Sequence, residues 1–169
     1  MAEPRRPLPV ALMMPANVRA GQVISLVEVA GGIGGKVDAP KLADELGADL
    51  AVLLSILDAA EMLGLVRSEK GDVYLTELGH KFQKTLTNKV TILKERLANV
   101  EPFRTALELS AKGKHVTAEW VADSLMEMGI KWHYRPEINE TLVKTLLIHW
   151  AIYAGLLKYD GKSGKFWRA

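Results

Sequence analysis

Two apolar stretches with helical spacing, each ending at a glycine, dominate the pattern along the chain. The second covers residues 141–155 and precedes an extended segment, a Gly-Lys-Ser-Gly turn and another extended segment that ends at Trp167. The first covers about 49–64 and precedes a similar hairpin that ends at Leu75. Because glycine readily closes a helix, each pattern predicts a helix followed by a β-hairpin.

The residues before the first of these helices predict two further helices and a turn. Apolar residues recur over 21–30, and the glycines that follow end that helix. Asp38 is a favourable N-cap and Pro40 suits a first helical turn, so a second helix runs from there to Gly47. Helix, helix, turn, helix and hairpin is the order of elements in a winged helix-turn-helix.

The same order recurs in the second half of the chain. Residues 116–125 parallel residues 37–46, with a capping residue, an alanine, an apolar pair, an aspartate and a leucine in register. The ends of the two long helices also match, but the offset between the halves grows from 79 to 91 residues, which predicts an insertion at 129–139. The predicted fold class is therefore mainly α with small β-hairpin wings, as tandem winged-helix-like units joined by a helix.

Four segments are predicted along the chain. Proline-rich residues 1–20 form an extended or disordered arm. Residues 21–79 form the first winged-helix-like unit, residues 80–101 a connecting basic helix, and residues 102–169 the second unit. The connecting helix has apolar positions at helical spacing among its lysines, so one side packs and the other is solvated.

The net charge of +2 conceals a difference between the two halves. Residues 1–80 carry 7 Lys/Arg against 11 Asp/Glu, and residues 81–169 carry 15 against 9. The basic half suits nucleic acid or an acidic partner, and ordinary surface variation is the alternative. The chain has no cysteine and no apolar run of about 18 residues, so we expect a cytoplasmic protein without disulfides or direct membrane insertion.

No arrangement of residues for catalysis or cofactor binding stands out. The glycine-rich run at 31–36 lacks the spacing and the Ser/Thr of a phosphate-binding P-loop, and the histidines lack metal-ligand spacing. Neighbouring acidic residues are better interpreted as solvated helix faces than as acid/base pairs. We therefore expect no cofactor, no metal and no enzymatic activity.

The second hairpin is a candidate contact surface for nucleic acid or a protein partner. Basic residues surround the aromatic pair Phe166 and Trp167, and a wing can lie along a phosphate backbone or in a minor groove. These basic residues are Lys158, Lys162, Lys165 and Arg168. The alternative is a solvated hairpin in which Phe166 or Trp167 packs inward.

The two helices that would read bases in DNA are poorly suited to that task. The helix at 49–63 contains no Lys, Arg, Asn or Gln, although contacts to phosphate dominate affinity for DNA. The helix at 140–154 has Lys144 and His149 as its basic groups and is apolar nearly all round, which predicts burial. DNA binding therefore rests on the second hairpin alone.

A cluster of aromatic and basic side chains in the predicted insertion is a candidate interaction loop. It comprises Trp132, His133, Tyr134 and Arg135. Aromatic residues together with arginine are typical of recognition surfaces. The alternative is a loop that covers an edge of the core.

Several stretches together resemble the AAA-associated C-terminal domain family. They are residues 31–46, 59–65, 75–82 and the string Trp-Ala-Ile-Tyr-Ala-Gly-Leu-Leu-Lys-Tyr-Asp at 150–160. The resemblance covers roughly 21–167, and its final string is the most specific part. Where the family commonly has Arg and Glu, this chain has Ile152 and Gly155, so a salt bridge between those positions is absent.

The resemblance implies a domain of the kind appended to ATPase subunits of nitrate/sulfonate/bicarbonate-type ABC transporters, here without the ATPase. We therefore expect a non-enzymatic regulatory or protein-interaction module whose partner is an ABC transporter ATPase subunit or another protein. The alternative is a winged-helix transcriptional regulator that binds DNA. A homodimer is a further option, because the helices at 49–63 and 140–154 are more apolar than a small monomer needs.

Overall fold

Over residues 12–169, which the computed structural model describes, each half of the chain folds into three helices and a three-stranded antiparallel sheet. The first half contains α1 (Ala20–Ile33), β1 (Lys36–Asp38), α2 (Ala39–Leu46), α3 (Leu50–Met62), β2 (Val66–Glu69) and β3 (Asp72–Leu75). Helices α4 (Glu77–Lys84) and α5 (Lys89–Leu97) follow. The second half contains α6 (Phe103–Leu109), a 3-10 turn (Ala111–Gly113), β4 (Val116–Thr117), α7 (Ala118–Glu127), α8 (Pro136–Leu146), a π-helical segment (Leu147–Ile152), β5 (Leu157–Asp160) and β6 (Lys165–Arg168). The predicted fold class, mainly α with small β-hairpin wings, is confirmed.

The first sheet has the strand order β1-β3-β2, and its β2–β3 hairpin is the predicted first wing. The turn of this hairpin holds Lys70 and Gly71 at φ angles of 52° and 83°, the left-handed conformations that a tight hairpin turn requires. Strand β1 has no counterpart in the sequence prediction. It is three residues long, too short for an alternating pattern, and it forms because Val37 pairs with Val73.

The second half repeats the first element by element. Asp38 and Thr117 cap α2 and α7, and each side chain accepts a hydrogen bond from the backbone N–H three residues on, at 2.8 and 3.1 Å. Gly64 and Gly155 follow the two long helices with φ angles of 76° and 73°. The tandem arrangement of winged-helix-like units therefore has a local basis in shared caps and shared glycines.

The long helix of the second half differs from its counterpart in the first. Helix α3 has 13 residues, whereas α8 has 11 and runs directly into a π-helical segment of six. A π-helical turn accommodates an extra residue, and this one contains the fully buried Trp150. The longer helix begins at Pro136, so its first four residues lie within the insertion predicted at 129–139.

The connecting segment forms two helices where the sequence predicts one basic helix over 80–101. Helix α4 ends at Lys84 because Thr85 adopts an extended conformation, with φ −76° and ψ 138°. The Thr85 hydroxyl oxygen accepts a hydrogen bond from the backbone N–H of Asn88 at 3.2 Å, which shapes the turn before α5. The segment boundaries given above stay a prediction.

The residues before α1 lie against the second half of the chain, although α1 itself packs with α2, α3 and α4. We call residues 12–19 the strap; residues 1–11 of the predicted arm lie outside the described residues. The backbone of Met14 donates to the carbonyl oxygen of Glu101 at 3.0 Å, and the indole N–H groups of Trp132 and Trp150 donate to the carbonyl oxygens of Met14 and Val18 at 2.7 and 2.9 Å. Met14 and Val18 are buried, so the strap joins the two halves in one continuous hydrophobic core.

Within residues 12–169, no helix combines the length and the apolar character needed to cross a membrane.

Candidate functional site

The second wing separates its side chains between two faces, as strand pairing requires. Residues directly opposite each other in an antiparallel pair share a face. Tyr159 pairs with Phe166, and Phe166 is fully buried against the core. Lys158 pairs with Trp167, so these two side chains share the outer face. The sequence left open which aromatic residue packs inward, and the structure assigns that position to Phe166.

A stacked aromatic pair lies on the outer face of the second wing. The ring centroids of His115 and Trp167 are 4.8 Å apart, and their planes differ by 13°. Lys158, Lys162 and Lys165 of the same hairpin are exposed. The sequence did not single out His115, because its position beside Trp167 depends on the pairing of β4 with β6, a contact about 50 residues apart in the chain.

The fourth predicted basic residue of the wing, Arg168, has a different position from the three lysines. Its Nε donates a hydrogen bond of 3.0 Å to the carbonyl oxygen of Leu107, and a second guanidinium nitrogen donates to the same oxygen. Leu107 lies in the last turn of α6. Arg168 therefore ties the end of β6 to α6 by satisfying a carbonyl group near a helix terminus.

The turn of the second wing is held by Asp160. The hydroxyl and the backbone N–H of Ser163 donate to its carboxylate at 2.7 and 3.1 Å. These hydrogen bonds, the one from the Ser163 side chain first, lower the pKa of Asp160 below its ordinary value. A charged carboxylate thus fixes the loop that carries Lys162.

The predicted interaction loop divides into residues with structural contacts and residues that face solvent. Trp132 holds the strap through its indole N–H, and Nδ1 of His133 accepts the backbone N–H of Arg135 at 3.0 Å, just before α8. The buried side-chain oxygen of Asn139 accepts the backbone N–H groups of Trp132 and His133 at 2.7 and 3.2 Å. Tyr134 is exposed, with the Arg135 guanidinium 5.8 Å from its ring centroid.

Helix α3 occupies the position of a recognition helix in the first unit, and part of it is exposed. Leu50 and Leu54 keep 48% and 50% of their surface exposed, and Asp58 and Glu61 continue the exposed side toward the end of the helix. Its counterpart in the second half is different, because Trp150 and most of its apolar neighbours are buried. We call Leu50, Leu54, Asp58 and Glu61 the α3 stripe.

A groove of about 810 Å³ opens on another side of α3. Its apolar part is formed by Leu46, Val52 and Ile56, and the first turns of α1 supply Gln22 and Ser25. We call it the α1–α3 groove. The sequence predicts the apolar helix, but it does not reveal the groove, whose lining combines residues of α1, the α2–α3 turn and α3.

The chain matches a known protein family. The model of the C-terminal AAA-associated domain family matches residues 40–160, which is most of the chain. The chain belongs to this family. It is therefore a relative of the C-terminal domains of ABC transporter ATPase subunits. No curated protein and no solved structure gives a significant match.

The AAA-associated match extends from α2 to the end of β5. It includes the α3 stripe, the loop at 132–135 and Lys158, whereas Lys162, Lys165 and Arg168 lie beyond it. Among the residues that the structure describes, no group of three or more His, Asp or Glu side chains is arranged to hold a metal ion.

Proposed function

We propose that this chain is a non-enzymatic interaction module that binds and regulates the ATPase subunit of an ABC transporter. Family membership supports the kinship with such subunits. The exposed apolar residues of the α3 stripe are the observation that supports a protein-binding surface. A module of this kind works in the cytoplasm, where transporter ATPase subunits meet ATP.

The composition of the α3 stripe favours a protein over DNA. Leu50 and Leu54 offer apolar area that gains free energy on burial, about 25 cal/mol per Å². Asp58 and Glu61 would repel phosphate, and α3 has no side chain of the types that commonly read base edges by paired hydrogen bonds. An apolar surface with an acidic end suits a partner helix that is apolar at one end and basic at the other.

Affinity purification of the tagged chain from its native cells tests the proposal. We expect mass spectrometry to identify an ABC-type ATPase subunit bound to the wild type and absent from Leu54→Lys. Met128→Lys is the matched control, since Met128 is a 59% exposed apolar residue at the end of α7 and lies outside the stripe. Addition of the chain to the purified transporter should then change its rate of ATP hydrolysis.

Two results would count against the proposal. One is a wild-type chain that retains no ATPase subunit. The other is an ATPase subunit that stays bound to Leu54→Lys as well as it does to Met128→Lys.

A second candidate function, transcriptional regulation through DNA binding, is favoured by the second wing. Exposed Lys158, Lys162 and Lys165 surround the stacked ring of Trp167, and lysines of this kind contact phosphates while an aromatic ring can stack with a base. In a titration of duplex DNA at low salt, the triple charge reversal of these lysines should abolish binding. Absence of binding by the wild type, or binding that survives the reversal, would exclude this wing as a DNA contact.

A further inference from the structure

The turn between α4 and α5 exposes an apolar side chain almost completely. Leu86 keeps 97% of its surface exposed, and Val90, one turn later, keeps 40%. The turn has a defined shape, because Thr85 accepts the hydrogen bond from Asn88 described above. We call residues 85–90 the Leu86 turn. An apolar group projecting from an ordered turn is a candidate for burial in an interface.

The α1–α3 groove offers an apolar space that such a projection could fill. Leu46, Val52 and Ile56 line it, and its volume of about 810 Å³ exceeds that of a leucine side chain severalfold. Val52 is partly exposed within it, so contact with a second apolar group would remove surface from water on both sides.

The charges near the two surfaces are opposite in sign. Residues 81–94 carry four lysines and no acidic residue, and three of these lysines remain after Lys89 pairs with Glu28 of its own copy. On the other side, Asp49 lines the groove, and Asp44 and Glu45 are exposed on the last turn of α2 beside it. Arg19 is the basic residue of the lining. This complementarity favours a contact between the Leu86 turn and the groove, and salt should weaken that contact.

The Leu86 turn does not fill the groove of its own copy, because Leu86 stays 97% exposed and none of residues 85–90 lines the groove. Residues at the start of α1, from Arg19 to Ser25, contribute to the groove, whereas Nζ of Lys89 pairs with Oε1 of Glu28 at 2.6 Å in the next turn of the helix. A second copy is therefore the source of an apolar projection for the groove.

We propose that the Leu86 turn of one copy docks in the α1–α3 groove of a second copy. The reciprocal pair of contacts closes a two-fold dimer, the commonest symmetry among protein oligomers. This inference goes beyond the proposed ATPase partner and uses a different surface from the α3 stripe. If the chain dimerises in this way but binds no ATPase subunit, the docking proposal stands and the proposed function is refuted.

Sedimentation velocity over the soluble concentration range tests the docking. We expect the wild type to form a dimer that dissociates as salt is raised, and Leu86→Asp and Val52→Lys each to weaken it on the order of 100-fold, since each removes two apolar contacts per dimer. Met128→Asp and Ala51→Lys are the matched controls and should dimerise like the wild type. Both test positions are partly or fully exposed, and circular dichroism verifies folding.

A mixture of the two defective variants gives a result that a different interface would not. Leu86→Asp keeps an intact groove and Val52→Lys keeps an intact Leu86 turn, so their heterodimer retains one of the two contacts. We expect the mixture to associate more strongly than either variant alone. A monomeric wild type, a dimer that survives both substitutions, or a mixture no stronger than its components would overturn the proposal.

Discussion

Truncation of Trp150 to alanine should destabilise the fold more than any other single tryptophan substitution among the described residues. The side chain is fully buried in the π-helical segment, and its indole N–H donates to the carbonyl oxygen of Val18 at 2.9 Å. Loss of a buried tryptophan costs about 3–5 kcal/mol through lost contacts and the cavity left behind. The Val18 carbonyl group, left buried without its donor, adds about 1–3 kcal/mol. Because the cavity admits some relaxation, we expect a total of about 4 kcal/mol or more.

Two further substitutions separate the parts of this cost. Trp150→Phe keeps an aromatic ring but removes the N–H donor, so it should cost about 1–3 kcal/mol. Trp120→Ala removes the same atoms as Trp150→Ala from a site that is 42% exposed on α7, and it should cost about 1 kcal/mol. Urea unfolding at 25 °C, followed by far-ultraviolet circular dichroism and extrapolated linearly to water, measures each free energy.

Either of two results would contradict the stabilising roles of burial and hydrogen bonding at Trp150. A loss below about 2 kcal/mol for Trp150→Ala would show that the strap and the π-helical segment relax freely around the missing side chain. Equal losses for Trp150→Ala and Trp120→Ala would show that burial does not set the cost.

Three other outcomes are expected. Gly79→Ala should destabilise the fold by about 3 kcal/mol or more, because a Cβ there would lie 1.9 Å from the backbone oxygen of Leu65, just before β2. A Cβ at Gly32 in α1 would meet no atom within 4 Å, so Gly32→Ala should stabilise the fold by about 0.5–1 kcal/mol. Urea unfolding compares the two variants, and equal effects would contradict the packing. The pKa of Asp160, followed by NMR, should lie below its ordinary value and should rise in Ser163→Ala. The stability that this carboxylate contributes is complete above the unfolded pKa of about 3.9 and is lost as pH falls through the folded pKa. A pKa that does not change in Ser163→Ala would refute this prediction. Trp132→Phe should cost about 1 kcal/mol and speed amide hydrogen exchange in the strap, and unchanged exchange would argue against its hydrogen bond.

The predictions that succeeded depend on short stretches of sequence. Both hairpins follow from glycine-containing turns between extended segments, and the caps at Asp38 and Thr117 follow from residue type and position. Strands β1 and β4 were missed because each is too short to show a period and exists through pairing with a distant strand. The predicted single basic helix is interrupted because Thr85 leaves the helical conformation, which helical spacing of apolar residues did not reveal.

The candidate surfaces were predicted less completely than the fold. The sequence grouped Arg168 with three lysines, but the guanidinium of Arg168 reaches the carbonyl group of Leu107, 61 positions away. It grouped Trp132 with an interaction loop, but the indole of Trp132 holds the strap, 118 positions away. Both contacts satisfy backbone carbonyl groups, and no local pattern shows which distant carbonyl group needs a donor.

The sequence by itself determined the helical class, the two wings, the tandem order of elements and the kinship with the AAA-associated domain. The first three follow from periodicity, capping residues and glycines, whose preferences act within a few residues, and the kinship follows from the resemblance of several stretches to that family. Only the tertiary structure decided which apolar residues remain exposed. Leu57 and Leu54 are close neighbours in α3, but one is buried and the other half exposed. Burial depends on which elements pack around a residue, and those elements come from distant parts of the chain.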